Sequence, residues 1–132
     1  MIISRTVKDF MATNVITFLP EMEIMEAVRI MVEQGISGAP VVDKDSNIVG
    51  MLTEKDCIQI VLNAGYYDDW GGRVDEFMNP VVVTIDANTD IVELAKKFIA
   101  GPYRRFPVVH NGQLAGQISR HDILRAILSL TS

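Results

Sequence analysis

Two short phrases hold the residues best suited to chemistry, Thr53-Glu54-Lys55-Asp56 and Ser119-Arg120-His121-Asp122. Each sets a hydroxyl three residues ahead of a carboxylate, where a β-branched run gives way to a helical pattern. The spacing has two readings. One is the Ser/Thr-x-x-acid capping box, in which the hydroxyl accepts from an orphan helix N–H and the acid lies favourably in the first turn. The other is a ligand site. A strand-to-helix junction offers N–H groups and the positive end of the helix dipole to an anion such as phosphate. A carboxylate beside it would repel phosphate, yet it can accept from both hydroxyls of a ribose. Hydroxyl plus carboxylate therefore suggests a ribonucleotide, and Arg104-Arg105 supplies guanidinium donors for phosphate oxygens.

The charge distribution fits a small anion better than a polyanion. The chain has 12 Lys and Arg against 17 Asp and Glu, a net charge of −5. An acidic surface argues against nonspecific nucleic-acid binding, whose affinity comes from cations neutralising phosphates. Residues 101–125 run the other way, with Arg104, Arg105, Arg120 and Arg125 against Asp122 alone. The remaining polar residues give no second chemistry. His110 reads as the solvated end of a strand, while His121 either touches phosphate or is solvated in a first turn. Neither histidine has the cysteine or acidic partners of a zinc or iron centre. Cys57 reads as a small apolar residue on a helix, and as the single cysteine it fits a reducing compartment. No nucleophile–base pair, glycine-rich phosphate loop or metal cluster can be assembled, so the expectation is a protein that is not an enzyme. The first eleven residues lack the apolar core of a signal peptide and no run is long enough to span a membrane, so the expected location is cytoplasmic.

The elements that must position these residues occur twice. Phe10-Met11 returns as Phe77-Met78, Thr17 as Thr84, Ile24 as Ile91 and Pro40-Val41-Val42 as Pro107-Val108-Val109, all at a spacing of 67 residues. After the valines one residue is lost in a polar turn, and Gly50 and Asp56 match Gly116 and Asp122 at a spacing of 66. Each copy predicts the same order: strand, helix, strand, strand, helix. Residues 14–18 and 80–85 are short β-branched runs, consistent with a strand or an extended entry segment. Ile24, Ala27, Val28, Met31 and Val32 predict a helix stopped by Gly35; Ile91, Leu94, Ala95, Phe98 and Ile99 predict a second, capped by Thr89 or Asp90. Hairpins follow, one turning at residues 44–47 and the other at Asn111-Gly112, a strong type I′ signal. The last helices run from Glu54 toward Ala64 and from Arg120 toward Leu130. Tyr66, Tyr67 and Trp70 lie in the connection between copies; they are expected to pack over one end of the domain, the alternative being a partner-binding patch.

This ordered set, Phe-Met, Thr, helix, Pro-Val-Val, Gly and Thr/Ser-x-x-Asp, present twice over nearly the whole chain, resembles a tandem pair of CBS (cystathionine beta-synthase) domains. The resemblance implies an α/β (α+β) fold of two pseudo-twofold-related repeats packed through their sheets, with repeats at 1–65 and 75–132 and a linker at 66–74. It also implies a stand-alone regulatory module with two clefts for adenosine ligands, AMP, ADP, ATP or S-adenosylmethionine, and no catalytic cofactor. Carried over by position, one cleft uses Ser119 and Asp122 on the ribose, the backbone of Ile36, Ser37 and Gly38 with Ile16 around the adenine, and Arg105 or Arg120 on phosphate. The other uses Thr53 and Asp56 on the ribose, Val83 with the backbone of Tyr103, Arg104 and Arg105 around the base, and Lys55 near phosphate. The small Ser37-Gly38 pair makes the Asp122 cleft the better expected site, since Arg104-Arg105 occupy the same role in the other. The implied assembly is a homodimer of tandem pairs acting on a regulated protein that the sequence does not name. A ligand-free assembly domain that has kept only its caps is the alternative.

Overall fold

Proline placement decides where the strands begin. A computed structural model describes residues 4–131. In it Phe18 N–H donates to the Pro40 carbonyl at 3.0 Å and the Phe18 carbonyl accepts from Val42 N–H at 2.9 Å. Continuing this parallel ladder toward Ile16 would need an N–H from Pro40, which has none. The strand or extended entry segment expected over residues 14–18 therefore pairs through a single bridge, Phe18 to Val41. Pro107 imposes the same stop in the second copy, where only β3 (Ile85–Asp86) survives of the run at 80–85, with Ile85 opposite Val108.

The other elements follow the expected order. In the first copy α1 (Ile24–Gln34) ends at Gly35, whose φ of 65° is the left-handed conformation a glycine C-cap adopts. It leads into the antiparallel pair β1 (Gly38–Val42) and β2 (Ile48–Thr53), then α2 (Glu54–Tyr67). After the short α3 (Val74–Phe77) and β3, α4 (Ile91–Ala100) is capped by Asp90, whose side chain accepts from Val92 N–H at 2.6 Å. Strands β4 (Arg105–His110) and β5 (Gln113–Ser119) pair antiparallel, and α5 (Arg120–Thr131) closes the order. Asn111 and Gly112 both have positive φ, 52° and 80°, as a type I′ turn requires. Both hairpins keep one register: Gly38 opposes Thr53 and Arg105 opposes Ser119, with a bulge after Val41 and after Val108.

The chain forms two compact units, one spanning Ile16–Val82 and the other joining the segment up to Val15 with the segment from Val83 onward. They are called here the Asp56 unit and the Asp122 unit. Spatial units and sequence repeats differ in their opening segments. Val7, with no exposed surface, lies in the Asp122 unit's core with Ile85, Leu94, Phe106 and Ile118. Its N–H donates to the Thr89 carbonyl at 2.9 Å. The Asp56 unit has its own core around Phe18, Ile24, Leu52 and Val74. The repeated Phe-Met and Gly positions explain one another: a Cβ on Gly50 would collide with Met78, and one on Gly116 would stand 2.8 Å from the Met11 sulfur. Each hairpin glycine makes room for the methionine of an opening segment.

One expectation is corrected. Tyr66 and Tyr67 are 79% and 78% exposed and Trp70 is 59% exposed, so they do not pack over the domain end. Helix α2 runs past Ala64 to Tyr67 before Asp68 closes it in a left-handed cap, which carries the tyrosines beyond the core. No helix among the described residues is long and apolar enough to cross a membrane.

Candidate functional site

Both hydroxyl–acid phrases fall at strand-to-helix junctions, and both build the full capping box. Thr53 ends β2; its N–H and its hydroxyl each donate to Asp56 Oδ2 at 2.9 Å, and Asp56 N–H returns a longer bond of 3.4 Å to Thr53 Oγ1. Ser119 ends β5 and repeats the arrangement, with N–H to Asp122 Oδ2 at 2.8 Å, hydroxyl to the same oxygen at 3.0 Å and Asp122 N–H to Ser119 Oγ at 3.2 Å. The capping reading is thus realised in both units. It uses one carboxylate oxygen of each acid, so it does not exclude the other reading.

The two acids differ in surroundings. Asp122 is buried, and its Oδ1 pairs with the Arg125 guanidinium one turn further along α5. Asp56 is half-buried and faces a polar cavity of about 590 Å³, which Lys55, Gln59 and Asn63 also line. Arg125 is read from the sequence only as part of the basic stretch and not as a site residue; the available signal was the i, i+3 spacing of acid and arginine on one helix.

The extended segments before the prolines lie beside these junctions within each unit. The Ser37 carbonyl accepts from Glu54 N–H at 2.9 Å, and the Arg104 carbonyl accepts from Arg120 N–H at 3.0 Å. Gly38 and Arg105 hold the same register place, opposite Thr53 and Ser119. A Cβ on Gly38 would stand 2.9 Å from the Leu52 carbonyl oxygen, so this close approach of strands favours glycine. Ile36 and Ile16 are half-buried against the Asp56 unit's core. In the Asp122 unit, Val83 and Tyr103 come together on a shallow apolar cavity of about 200 Å³ floored by Phe106, whose ring centroid is 5.1 Å from that of Tyr103.

Arg120 has a structural task that sequence reasoning did not assign. Its Nε donates to the Tyr103 carbonyl at 2.8 Å and its Nη2 to the Gly101 carbonyl at 3.5 Å, tying the loop after α4 to the start of α5. His121 and Lys55 are exposed in the first turns of their helices, and His110 is exposed at the end of β4. Cys57 is half-buried, and burial, reinforced by Asp56 and Glu54, pushes its thiol pKa up, away from nucleophilic character.

Comparison with known proteins places this geometry. The CBS domain family pattern matches residues 7–63 and 74–129. The solved structure of Arabidopsis thaliana CBSX2 in complex with AMP is similar over 96% of this chain and 98% of its own, at 25% identity and a TM-score of 0.83. The CBS domain pair of the protein MJ0100, solved with 5′-methylthioadenosine and S-adenosyl-L-methionine, covers 96% of this chain and 98% of its own at 25% identity and a TM-score of 0.73. Among sequences, the uncharacterized protein MJ1225 of Methanocaldococcus jannaschii is 26% identical over 125 residues, 95% of this chain, and the chain spans only 44% of that protein's length. Duplicated motif, strand order and fold agree with the two matched stretches: the chain belongs to the CBS domain family.

Proposed function

We propose that the chain is an adenosine-ligand sensor, a regulatory module that binds AMP, ADP or ATP, or S-adenosylmethionine, and thereby modulates a partner protein or its own assembly. The observation that carries this reading is the hydroxyl–acid junction built identically in both units, each with a carboxylate oxygen left over from capping. Complexes of similar CBS pairs with AMP and with S-adenosyl-L-methionine support it. Asp122 and Asp56 accept ribose hydroxyls, a charge-assisted bond stronger than a neutral one. The extended backbones of Ile36, Ser37 and Gly38 with Ile16, and of Tyr103, Arg104 and Arg105 with Val83, receive the base. Arg105, Arg120, His121 and Lys55 lie toward phosphate. No catalytic cofactor or chemical step is assigned, and the module acts in the cytoplasm.

The second reading is an assembly domain that senses nothing. It draws on the completed caps and on an exposed apolar triad, Ile58, Val61 and Leu62, which recurs 66 residues on as Leu124, Ile127 and Leu128. Such a face suits a homodimer under either reading. Thermal unfolding of protein shown by mass to be ligand-free separates the two. With each ligand at about 100 times its dissociation constant, sensing adds about 2.7 kcal/mol and raises the midpoint by several degrees. No rise with any of the four ligands supports the assembly domain.

A further inference from the structure

A carboxylate can take a ribose only with lone pairs that are not already committed. In both units Oδ2 of the acid is held by the capping box, which leaves Oδ1. Asp122 Oδ1 is engaged by Arg125, with the Asp122 side chain only 9% exposed. Asp56 Oδ1 has no hydrogen-bond partner among the described residues. The residue matching Arg125 is Gln59, which turns instead along α2 and donates to Asn63 Oδ1 at 3.1 Å. The cavity of about 590 Å³ lies against this uncommitted acid. The same helix position therefore carries a counter-ion in one unit and a neutral amide in the other.

Resting on the adenosine-binding reading above, we propose that Arg125 is a latch on Asp122, so that the Asp56 site fills first and the Asp122 site fills only as Arg125 lets go. Arg125 acts through Asp122 and is a positioning residue, a determinant of affinity rather than a ligand contact. This reverses the preference that the small Ser37-Gly38 pair suggests, because two ribose hydroxyls need two acceptor sites and Arg125 already takes one of the two on Asp122 Oδ1. At 60% side-chain exposure Arg125 can be replaced without opening the core.

Calorimetric titration with AMP, and separately with adenosine, tests the latch, with thermal midpoints recorded in parallel. The wild type is expected to show a tight and a weak phase. Asp122→Asn keeps the tight phase, Asp56→Asn keeps only the weak one, and adding Arg125→Gln to Asp56→Asn tightens the remaining site about tenfold for both ligands with no rise in midpoint. Adding Arg125→Lys instead, which retains the cation, leaves the site weak. A tight phase lost with Asp122→Asn, or no change on adding Arg125→Gln, overturns the latch. Weaker AMP binding with unchanged adenosine binding also overturns it, by making Arg125 a phosphate contact. Absence of binding by the wild type and every variant overturns the sensing reading itself, and the latch with it.

Discussion

In both junctions the helix cap draws on one oxygen of the carboxylate, Oδ2, and the proposed reading gives the ribose to Oδ1. The hydroxyl–acid spacing was legible because it is local, three residues along one chain. The tasks of Arg120 and Arg125 were less so. Four arginines in a basic stretch suggest phosphate, but the sequence does not show that Arg120 also ties the Tyr103 and Gly101 carbonyls or that Arg125 pairs with Asp122, contacts fixed by three-dimensional neighbours. Cys57 gives a prediction at this scale. Burial first, then Asp56 and Glu54, raise its pKa, which leaves less thiolate at a given pH. Alkylation by iodoacetamide at pH 8 is expected to run several-fold slower than for a cysteine in an unstructured peptide. A rate equal to the peptide's contradicts the assignment of Cys57 as an inert packing residue.

Elements were read well where one signal decided them and less well where packing did. The Asn111-Gly112 turn and the Gly35 cap follow from residues that tolerate positive φ. The entry segments pair over less of their length than full strands would, because β-branching at residues 14–18 and 80–85 says nothing of the partner strand's missing N–H at Pro40 and Pro107. Val32 and Ile99 fit the apolar period of α1 and α4 but stand 76% and 88% exposed, since they lie at the edge of each stripe. Two substitutions test the packing at this level. Gly116→Ala puts a methyl about 2.5 Å from the Ala12 carbonyl oxygen, a backbone atom that cannot rotate away. It is expected to cost about 2 kcal/mol by denaturant unfolding; an unchanged midpoint contradicts the close approach of the opening segment to β5. Val7→Ala, far along the chain from the residues it packs on, is expected to cost about 2 kcal/mol as well. The loss should appear as faster amide exchange in α4 and β4, and exchange enhanced only in α1 and β1 would contradict the assignment of Val7 to the Asp122 unit.

At the scale of the whole molecule, duplication was the most legible feature, since Pro-Val-Val, Gly and hydroxyl-x-x-Asp return in constant register. Which opening segment completes which unit was not legible, because an apolar Val7 or Val74 does not state in sequence which repeat it will cover. The repeated apolar triads on α2 and α5 carry the proposal of a homodimer. Sedimentation is expected to give a dimer for the wild type and a monomer for Leu62→Glu with Leu128→Glu; a monomeric wild type contradicts it. Sensing itself stands or falls on the two acids. The most direct measurement compares the AMP-induced shift in thermal midpoint of the wild type with that of the Asp56→Asn, Asp122→Asn double variant, in which asparagine retains a capping oxygen. The account predicts a rise of several degrees for the wild type at saturating AMP and none for a folded double variant. An equal rise in both, or none in the wild type, would contradict it.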